Sequence, residues 1–336
     1  MDAVVRGVIA APAILYIVYI RSVFSLPGRA GSFFAAAPAH RPRFRHRISQ
    51  KGRMPMLKTI AVLGGDARQR YLAERLMAGG FCVETYQVPG LPDSRTGLHA
   101  ALSRAHAAAL PMPALTKENW IRAEPRPIPL VSVLESLSPG TLVFGGPFEA
   151  AAETFAQYPV VLSDYTRSPA LAAGNAVPTA EGAIQLAMER LPITLSGSRC
   201  LVIGFGRIGK ALAARLRGLF AHVTVAARKP EDRALAAALG CTPETVCLDP
   251  RGLAQYDCIF STVPAPVFRA EHLAAMRPDC LIIDLASSPG GLPADTAPFD
   301  APVYLPAPGL PGKAAPATAA ALLYDHILAA FAAAQP

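Results

Sequence analysis

The stretch that decides the fold is Cys200-Leu201-Val202-Ile203-Gly204-Phe205-Gly206-Arg207-Ile208-Gly209, which runs directly into Lys210–Leu219, a segment of helical spacing. An apolar strand, a G-x-G-x-x-G turn and a helix in immediate succession open a dinucleotide-binding βαβ unit. Gly204 allows the tight turn, Gly206 lets the main chain approach a pyrophosphate, and Gly209 lets the helix sit close to the strand. Phosphates then meet free N–H groups at the helix N-terminus. Phe205, Arg207 and Ile208 complete the cofactor loop. The alternative is a tight turn with no ligand, and the strand before and helix after favour the ligand.

Reading outward, the next strand, His222–Ala226, runs into Ala227-Arg228-Lys229. A carboxylate here would accept hydrogen bonds from the ribose hydroxyls of NAD, whereas two cations suit a 2′-phosphate, so NADP is favoured over NAD. Lys229 also fits a solvated loop start. Two further segments fall where the carboxyl ends of this sheet would open on the cofactor: Ser261-Thr262-Val263-Pro264 and Asp284-Leu285-Ala286-Ser287-Ser288-Pro289-Gly290-Gly291. Thr262, Val263 and Pro264 are assigned to the nicotinamide-ribose side, and Ser287 with Gly290 and Gly291 to a loop rich in exposed main chain. Ordinary strand-to-helix turns are the plainer reading of both.

From Met56 onward, short β-type runs alternate with Ala-rich helical segments, the pattern of parallel α/β architecture. Lys58–Leu63, Cys82–Tyr86, Ala107–Leu110, Leu142–Phe144 and Val160–Leu162 predict one sheet. Arg199–Ile203, His222–Ala226, Val246–Leu248, Cys258–Ser261, Leu281–Asp284 and Val303–Leu305 predict a second. A helix over Thr179–Leu191 follows Pro178, and an Ala/Leu-rich helix over Thr318–Ala334 closes the chain and packs back on the first sheet. The first strand opens into Gly64-Gly65-Asp66-Ala67-Arg68, a glycine turn without dinucleotide spacing. Its Asp66 and Arg68, beside helix N–H groups, suit a carboxylate substrate, and Asp66 suits equally the N-cap of the helix.

Formal charge is +8, but residues 1–55 hold nine Lys/Arg against Asp2 alone, and the other 281 residues hold 23 basic and 23 acidic side chains. The body is neutral, which removes the electrostatic footprint of a nucleic-acid binder. Within 1–55, the apolar run 7–20 is 14 residues long and broken by Pro12, short of a membrane span. Three readings fit this leader: a translated upstream region with initiation at Met54 or Met56, a targeting or membrane anchor, and a disordered basic extension. The first is taken, with no membrane partner. Six cysteines in or beside apolar runs, none in a C-x-x-C pair, predict buried, reduced thiols in a cytosolic protein. The seven histidines form no metal or relay pattern, and His272 reads as a surface position on a helix. No G-x-S-x-G elbow is present.

Taken together, Ile60 to Arg68, Asn175-Ala176-Val177-Pro178-Thr179-Ala180-Glu181-Gly182, the Gly204 fingerprint, the Asp284–Gly291 loop and Pro308-Gly309-Leu310-Pro311-Gly312-Lys313-Ala314-Ala315-Pro316 resemble the A subunits of dipicolinate synthases from Met56 to Ala334. Ser288 departs from the pattern, where relatives are expected to carry Arg. The pattern of strands and helices reads as two doubly wound parallel-sheet domains, Rossmann-like and flavodoxin-like: a substrate side over 56–177, an NADP-binding domain over 178–317 and a returning helix over 318–336, with Pro178, at the start of the connecting helix, as a candidate hinge. The resemblance implies a sporulation enzyme, in the mother-cell cytoplasm, that oxidises dihydro- or hydroxytetrahydrodipicolinate to pyridine-2,6-dicarboxylate beside a flavoprotein-like second subunit, the B subunit of the synthase. Ring aromatisation needs orientation and one proton acceptor rather than a His/carboxylate relay. Arg68, Ser287, Lys313 and the main chain of Gly309–Gly312 are the donors assigned to the substrate dicarboxylate, and Asp66, Arg68, Ser287 and Lys313 are the candidate catalytic residues. The competing readings are an NADP-dependent 2-hydroxyacid dehydrogenase and a dinucleotide-binding subunit without turnover.

Overall fold

The computed structural model describes residues 58–94, 97–287, 290–293 and 302–333; the leader over 1–55 and Ser288 lie outside them. The first half of the chain runs β1 (Thr59–Leu63), α1 (Ala67–Ala78), β2 (Cys82–Tyr86), α2 (Gly97–Ser103), β3 (Ala107–Ala109), β4 (Trp120–Ile121), β5 (Ile128–Pro129), α3 (Leu130–Ser136), β6 (Leu142–Gly145), α4 (Ala152–Phe155) and β7 (Val161–Asp164). Its sheet has the order β2-β1-β3-β6-β7, every pair parallel. With the antiparallel β4–β5 hairpin set aside, this is flavodoxin-like order.

A long helix, α5 (Pro169–Arg190), leads to β8 (Arg199–Ile203), α6 (Arg207–Gly218), β9 (His222–Ala226), α7 (Pro230–Ala238), β10 (Thr242–Glu244), α8 (Pro250–Leu253), β11 (Cys258–Ser261), α9 (Ala270–Ala275), β12 (Leu281–Asp284), β13 (Val303–Pro306), α10 (Leu310–Ala314) and α11 (Pro316–Ala333). The second sheet, β10-β9-β8-β11-β12-β13, is the Rossmann order. The strands named from sequence recur with end shifts of one or two residues, except one. Val246–Leu248 is not a strand; Thr242–Glu244 pairs with β9 instead. It is an exposed edge, so burial left no apolar pattern there to read.

The connecting helix also starts ten residues before the expected Thr179. Ser168 caps it, accepting from the Leu171 N–H at 3.2 Å, and Pro178 lies inside. A proline removes one helical hydrogen bond, but α5 is held from both sides: Leu171 belongs to the core of the first sheet, while Ala180, Ala183, Ile184 and Ala187 belong to the second. The closing helix α11 returns to the first sheet, burying Leu323, Ile327 and Phe331 in the core that holds β1 and α1.

The two halves meet through α10. Asp66 caps α1, its Oδ1 accepting from the Arg68 N–H at 2.9 Å, and pairs with the Arg68 guanidinium at 2.6 Å. This pair packs on the backbone of Gly312, where a Cβ would stand 2.5 Å from Asp66 Oδ2 and 2.6 Å from Arg68 Nε. On its other side α10 rests on α5 at Gly182, where a Cβ would stand 3.0 Å from Ala314 Cβ.

Burial opposes ionisation of Asp66, but the hydrogen bonds and charge of Arg68 outweigh it and hold the carboxyl below its ordinary 3.8. Its ionised form therefore stabilises the fold above that value, and the contribution is lost as pH falls through the depressed folded value. Asp66→Asn is expected to lower Tm at pH 7, with the gap to the parent closing below about pH 4. Gly312→Ala is expected to cost about 1–3 kcal/mol by overpacking, and the two substitutions together to cost less than their sum, because each disturbs the same contact. Thermal melts across pH check all three; strict additivity would place Gly312 and the ion pair out of contact.

Candidate functional site

In parallel α/β sheets ligands bind beyond the carboxyl ends of the strands, where strand order reverses. The second sheet reverses between β8 and β11. There Gly204 turns with φ +94°, and a Cβ on it would collide with Thr262 Oγ1. Thr262 is fixed in turn: its N–H and its hydroxyl both donate to the Ile203 carbonyl, each at 2.9 Å. Gly206 caps α6 without a side-chain bond, so the first-turn N–H groups stay available to an anion.

A cavity of about 850 Å³ opens here. It is lined by Gly204, Phe205, Gly206, Arg207, Ile208, Arg228, Lys229, Thr262, Val263 and Pro264, with Cys247, Arg269 and His272. Gly209 is buried at the base of α6, where a Cβ would strike the Gly204 carbonyl. The cradle, the helix terminus and the volume fit a dinucleotide. Beyond β9, Ala227 is buried and Arg228 exposed, and no ion pair engages Arg228 among the described residues. Arg233 Nη1 donates to the carbonyls of Ala227 (3.0 Å) and Arg228 (2.7 Å), which fixes that turn. The carboxylate on this lining, Asp232, is taken up by Lys210 at 3.1 Å.

The first sheet reverses between β1 and β3, and a second cavity of about 620 Å³ lies there. Its lining joins Gly65, Asp66 and Arg68 after β1, Pro111, Met112 and Pro113 after β3, Thr116, Arg122 and Glu124 from the β4–β5 excursion, and Pro308, Gly309 and Lys313 after β13. Sequence elements far apart thus meet in one wall. Arg68 spends Nε on both Asp66 oxygens and Nη2 on Asp66 and the Met112 carbonyl. Lys313 is exposed and makes no ion pair among the described residues.

Ser287 is exposed and lines neither cavity. Its loop is organised by Asp284, which is buried and accepts from the N–H of Ala286 (3.1 Å), the N–H of Gly291 (2.7 Å) and the Tyr304 hydroxyl. Burial and the Asp284 carboxylate push the Tyr304 phenol up, keeping it a donor. His272 is buried rather than on the surface, since its Nδ1 accepts from the Arg269 N–H at 3.0 Å and folds the ring onto the start of α9. Cys82 and Cys247 are exposed, against expectation, while the other four cysteines are buried. Burial pushes the Cys200 thiol up to about 11 and Cys280 up to about 12, so neither is a thiolate at neutral pH. Sequence reasoning missed Arg122, Thr116 and Glu124, which sit on or beside two-residue strands too short to show a period.

Two family profiles match in tandem: the N-terminal domain of the dipicolinate synthase A subunit over residues 59–165, and the NAD binding domain of D-isomer specific 2-hydroxyacid dehydrogenases over 176–289. The dipicolinate synthase A subunit of Bacillus subtilis (strain 168) is 30% identical over 274 residues, covering 79% of this chain and 92% of that protein. The crystal structure of the dipicolinate synthase A subunit from Bacillus halodurans superposes with TM-score 0.75 at 27% identity, covering 84% of this chain and all of the other. That of its Bacillus subtilis counterpart gives 0.71 at 29%, over 84% and 99%. With the glycine cradle at one switch point and the Asp66–Arg68–Gly312 contact at the other, these likenesses settle the kinship: the chain belongs to the family of dipicolinate synthase A subunits.

Proposed function

We propose that this chain is the dinucleotide-dependent oxidoreductase subunit that oxidises dihydrodipicolinate, or hydroxytetrahydrodipicolinate with loss of water, to pyridine-2,6-dicarboxylate in the cytoplasm of a sporulating mother cell, with a flavoprotein-like B subunit as partner. The observation that carries this reading is the pair of cavities at the two switch points, one fitted to a dinucleotide and the other walled by Lys313. When bound, the nicotinamide supplies a hydride acceptor. The protein's part is to orient and to exclude water. Gly204, Gly206 and the α6 N-terminus hold the pyrophosphate, Thr262, Val263 and Pro264 wall the nicotinamide side, and Asp284 keeps the loop that follows it in shape. Lys313 and the turn Gly309–Gly312 receive a substrate carboxylate, with Asp66 and Arg68 packed beside them against Gly312. In this reading 56–177 is the substrate side, 178–317 the dinucleotide side, and Pro178, where α5 lacks one hydrogen bond, the hinge between them.

NADP is the cofactor we favour, because Arg228 and Lys229 replace the ribose-binding carboxylate and the turn that carries them is fixed by Arg233. NADP is expected to bind more tightly than NAD, and Arg228→Asp to reverse part of that preference with loss of about 1.5–3 kcal/mol. Titration of both cofactors checks it; equal affinities in the parent chain contradict it.

On the substrate side, Lys313→Ala is expected to raise KM by about 10–100-fold with NADP affinity unchanged. The reaction itself is checked by following NADPH and pyridine-2,6-dicarboxylate formation from the dihydro acid, with and without the B subunit. Absence of both products when the two subunits are combined contradicts the assignment.

A further inference from the structure

The wall of the second cavity carries five ionisable side chains: Asp66, Arg68, Arg122, Glu124 and Lys313. Asp66 and Arg68 balance each other at 2.6 Å. That leaves two cations, Arg122 and Lys313, and among the described residues neither takes part in an ion pair. Glu124 offsets one of them. The wall therefore has a formal charge of plus one and no broad positive field, so a dianion is held only if each of its charged ends finds its own cation.

We infer that Arg122 grips the second carboxylate of the substrate, opposite Lys313, and so selects a dicarboxylate over a monocarboxylate. This rests on the substrate class proposed above and names the residue that would read it.

Arg122 is fixed at three points. Its N–H donates to the Ala114 carbonyl at 2.9 Å, its carbonyl accepts from the Gly65 N–H at 2.8 Å, and its Nε donates to the Leu115 carbonyl at 2.9 Å. The last bond occupies the inner edge of the guanidinium. Both Nη groups remain without a hydrogen bond among the described residues, although the side chain lines the cavity. A guanidinium anchored through Nε with its fork unspent is preorganised for a carboxylate, since little side-chain freedom remains to be lost on binding.

The anchoring also explains the glycine turn beneath it. Gly64 has φ +53°, and a Cβ there would collide with the Arg122 carbonyl. The turn after β1 thus accepts the excursion between β3 and β6 directly onto its backbone. The two cations come from separate mounts: Arg122 from that excursion, and Lys313 from α10 after β13. A rigid ring with carboxyl groups on both sides of its nitrogen presents two anions in a fixed spread, which calls for two cations on separate mounts. A ring with one carboxyl group uses only one of them.

The chain contains a single tryptophan, Trp120, two residues before Arg122, which gives one fluorescent probe near this wall. The test titrates the full chain, saturated with NADP, with pyridine-2,6-dicarboxylate and with pyridine-2-carboxylate, using Trp120 fluorescence and calorimetry in parallel. The parent chain is expected to prefer the dicarboxylate. Arg122→Gln is expected to lose about 10–100-fold in dicarboxylate affinity, the size of one charge-assisted contact, with pyridine-2-carboxylate changed by less than about 3-fold and NADP affinity and Tm retained.

If the parent binds the dicarboxylate and Arg122→Gln binds it equally well, the inference is overturned while the substrate assignment stands. If the parent binds neither acid, the substrate assignment falls and the inference with it. Should Arg122→Gln fail to fold, Arg122→Lys decides. It keeps the charge without the fork, and a loss of about 3–10-fold confined to the dicarboxylate supports the grip, whereas unchanged affinity overturns it.

Discussion

The Asp66–Arg68 pair, seated on the bare backbone of Gly312, is the contact on which the arrangement of the site depends. One carboxylate performs two tasks there: it caps α1 and it holds a guanidinium that reaches on to the Met112 carbonyl. The pair is half-sheltered, so its strength comes from bidentate geometry and from the main-chain groups it satisfies rather than from charge alone. A side chain at 312 would drive α10 away from α1. Lys313 would then leave the second cavity, and Gly182 would lose its neighbour in α10.

That contact joins the two sheets through α10. Each sheet reverses its strand order once, and each reversal opens a cavity at the carboxyl ends of its strands. Helix α5 contributes to both cores, and α10 brings the last strand of the second sheet to the cavity of the first. The division of labour is electrostatic as well as topological. The dinucleotide cavity presents the α6 N-terminus and Arg228, and the second cavity presents Arg122 and Lys313, carried by separate elements. Asp284, although buried next to the working face, is consumed by three internal donors and serves to shape its loop.

Much of this was legible in the amino-acid order. The apolar runs place nearly every strand, and the Gly204 fingerprint locates the dinucleotide cradle because its glycines answer to steric demands that hold in any context. Reading failed where tertiary packing overrode a local rule. Pro178 reads as a helix boundary, yet α5 continues through it because two cores hold its faces. Val246–Leu248 reads as a strand, yet the edge is taken by the polar Thr242–Glu244, which no burial pattern marks. Asp66 and Arg68 stand out as a polar turn, but nothing in their neighbourhood shows that they pair with each other and rest on Gly312, 244 positions after Arg68. Arg122 is hardest of all to see, since its placement is fixed by main-chain bonds to residues 65 and 114 and by its Nε bond to the Leu115 carbonyl, and by no motif of its own.

The most direct measurement is a crystal structure of the full chain with NADP and pyridine-2,6-dicarboxylate bound together. The dinucleotide is expected on the Gly204–Gly209 turn with its 2′-phosphate at Arg228, and the aromatic diacid in the second cavity with one carboxylate on Lys313 and the other on the Arg122 fork, the Asp66–Arg68 pair intact against Gly312. A diacid bound away from that cavity, or one that breaks the pair to reach Arg68, would contradict it.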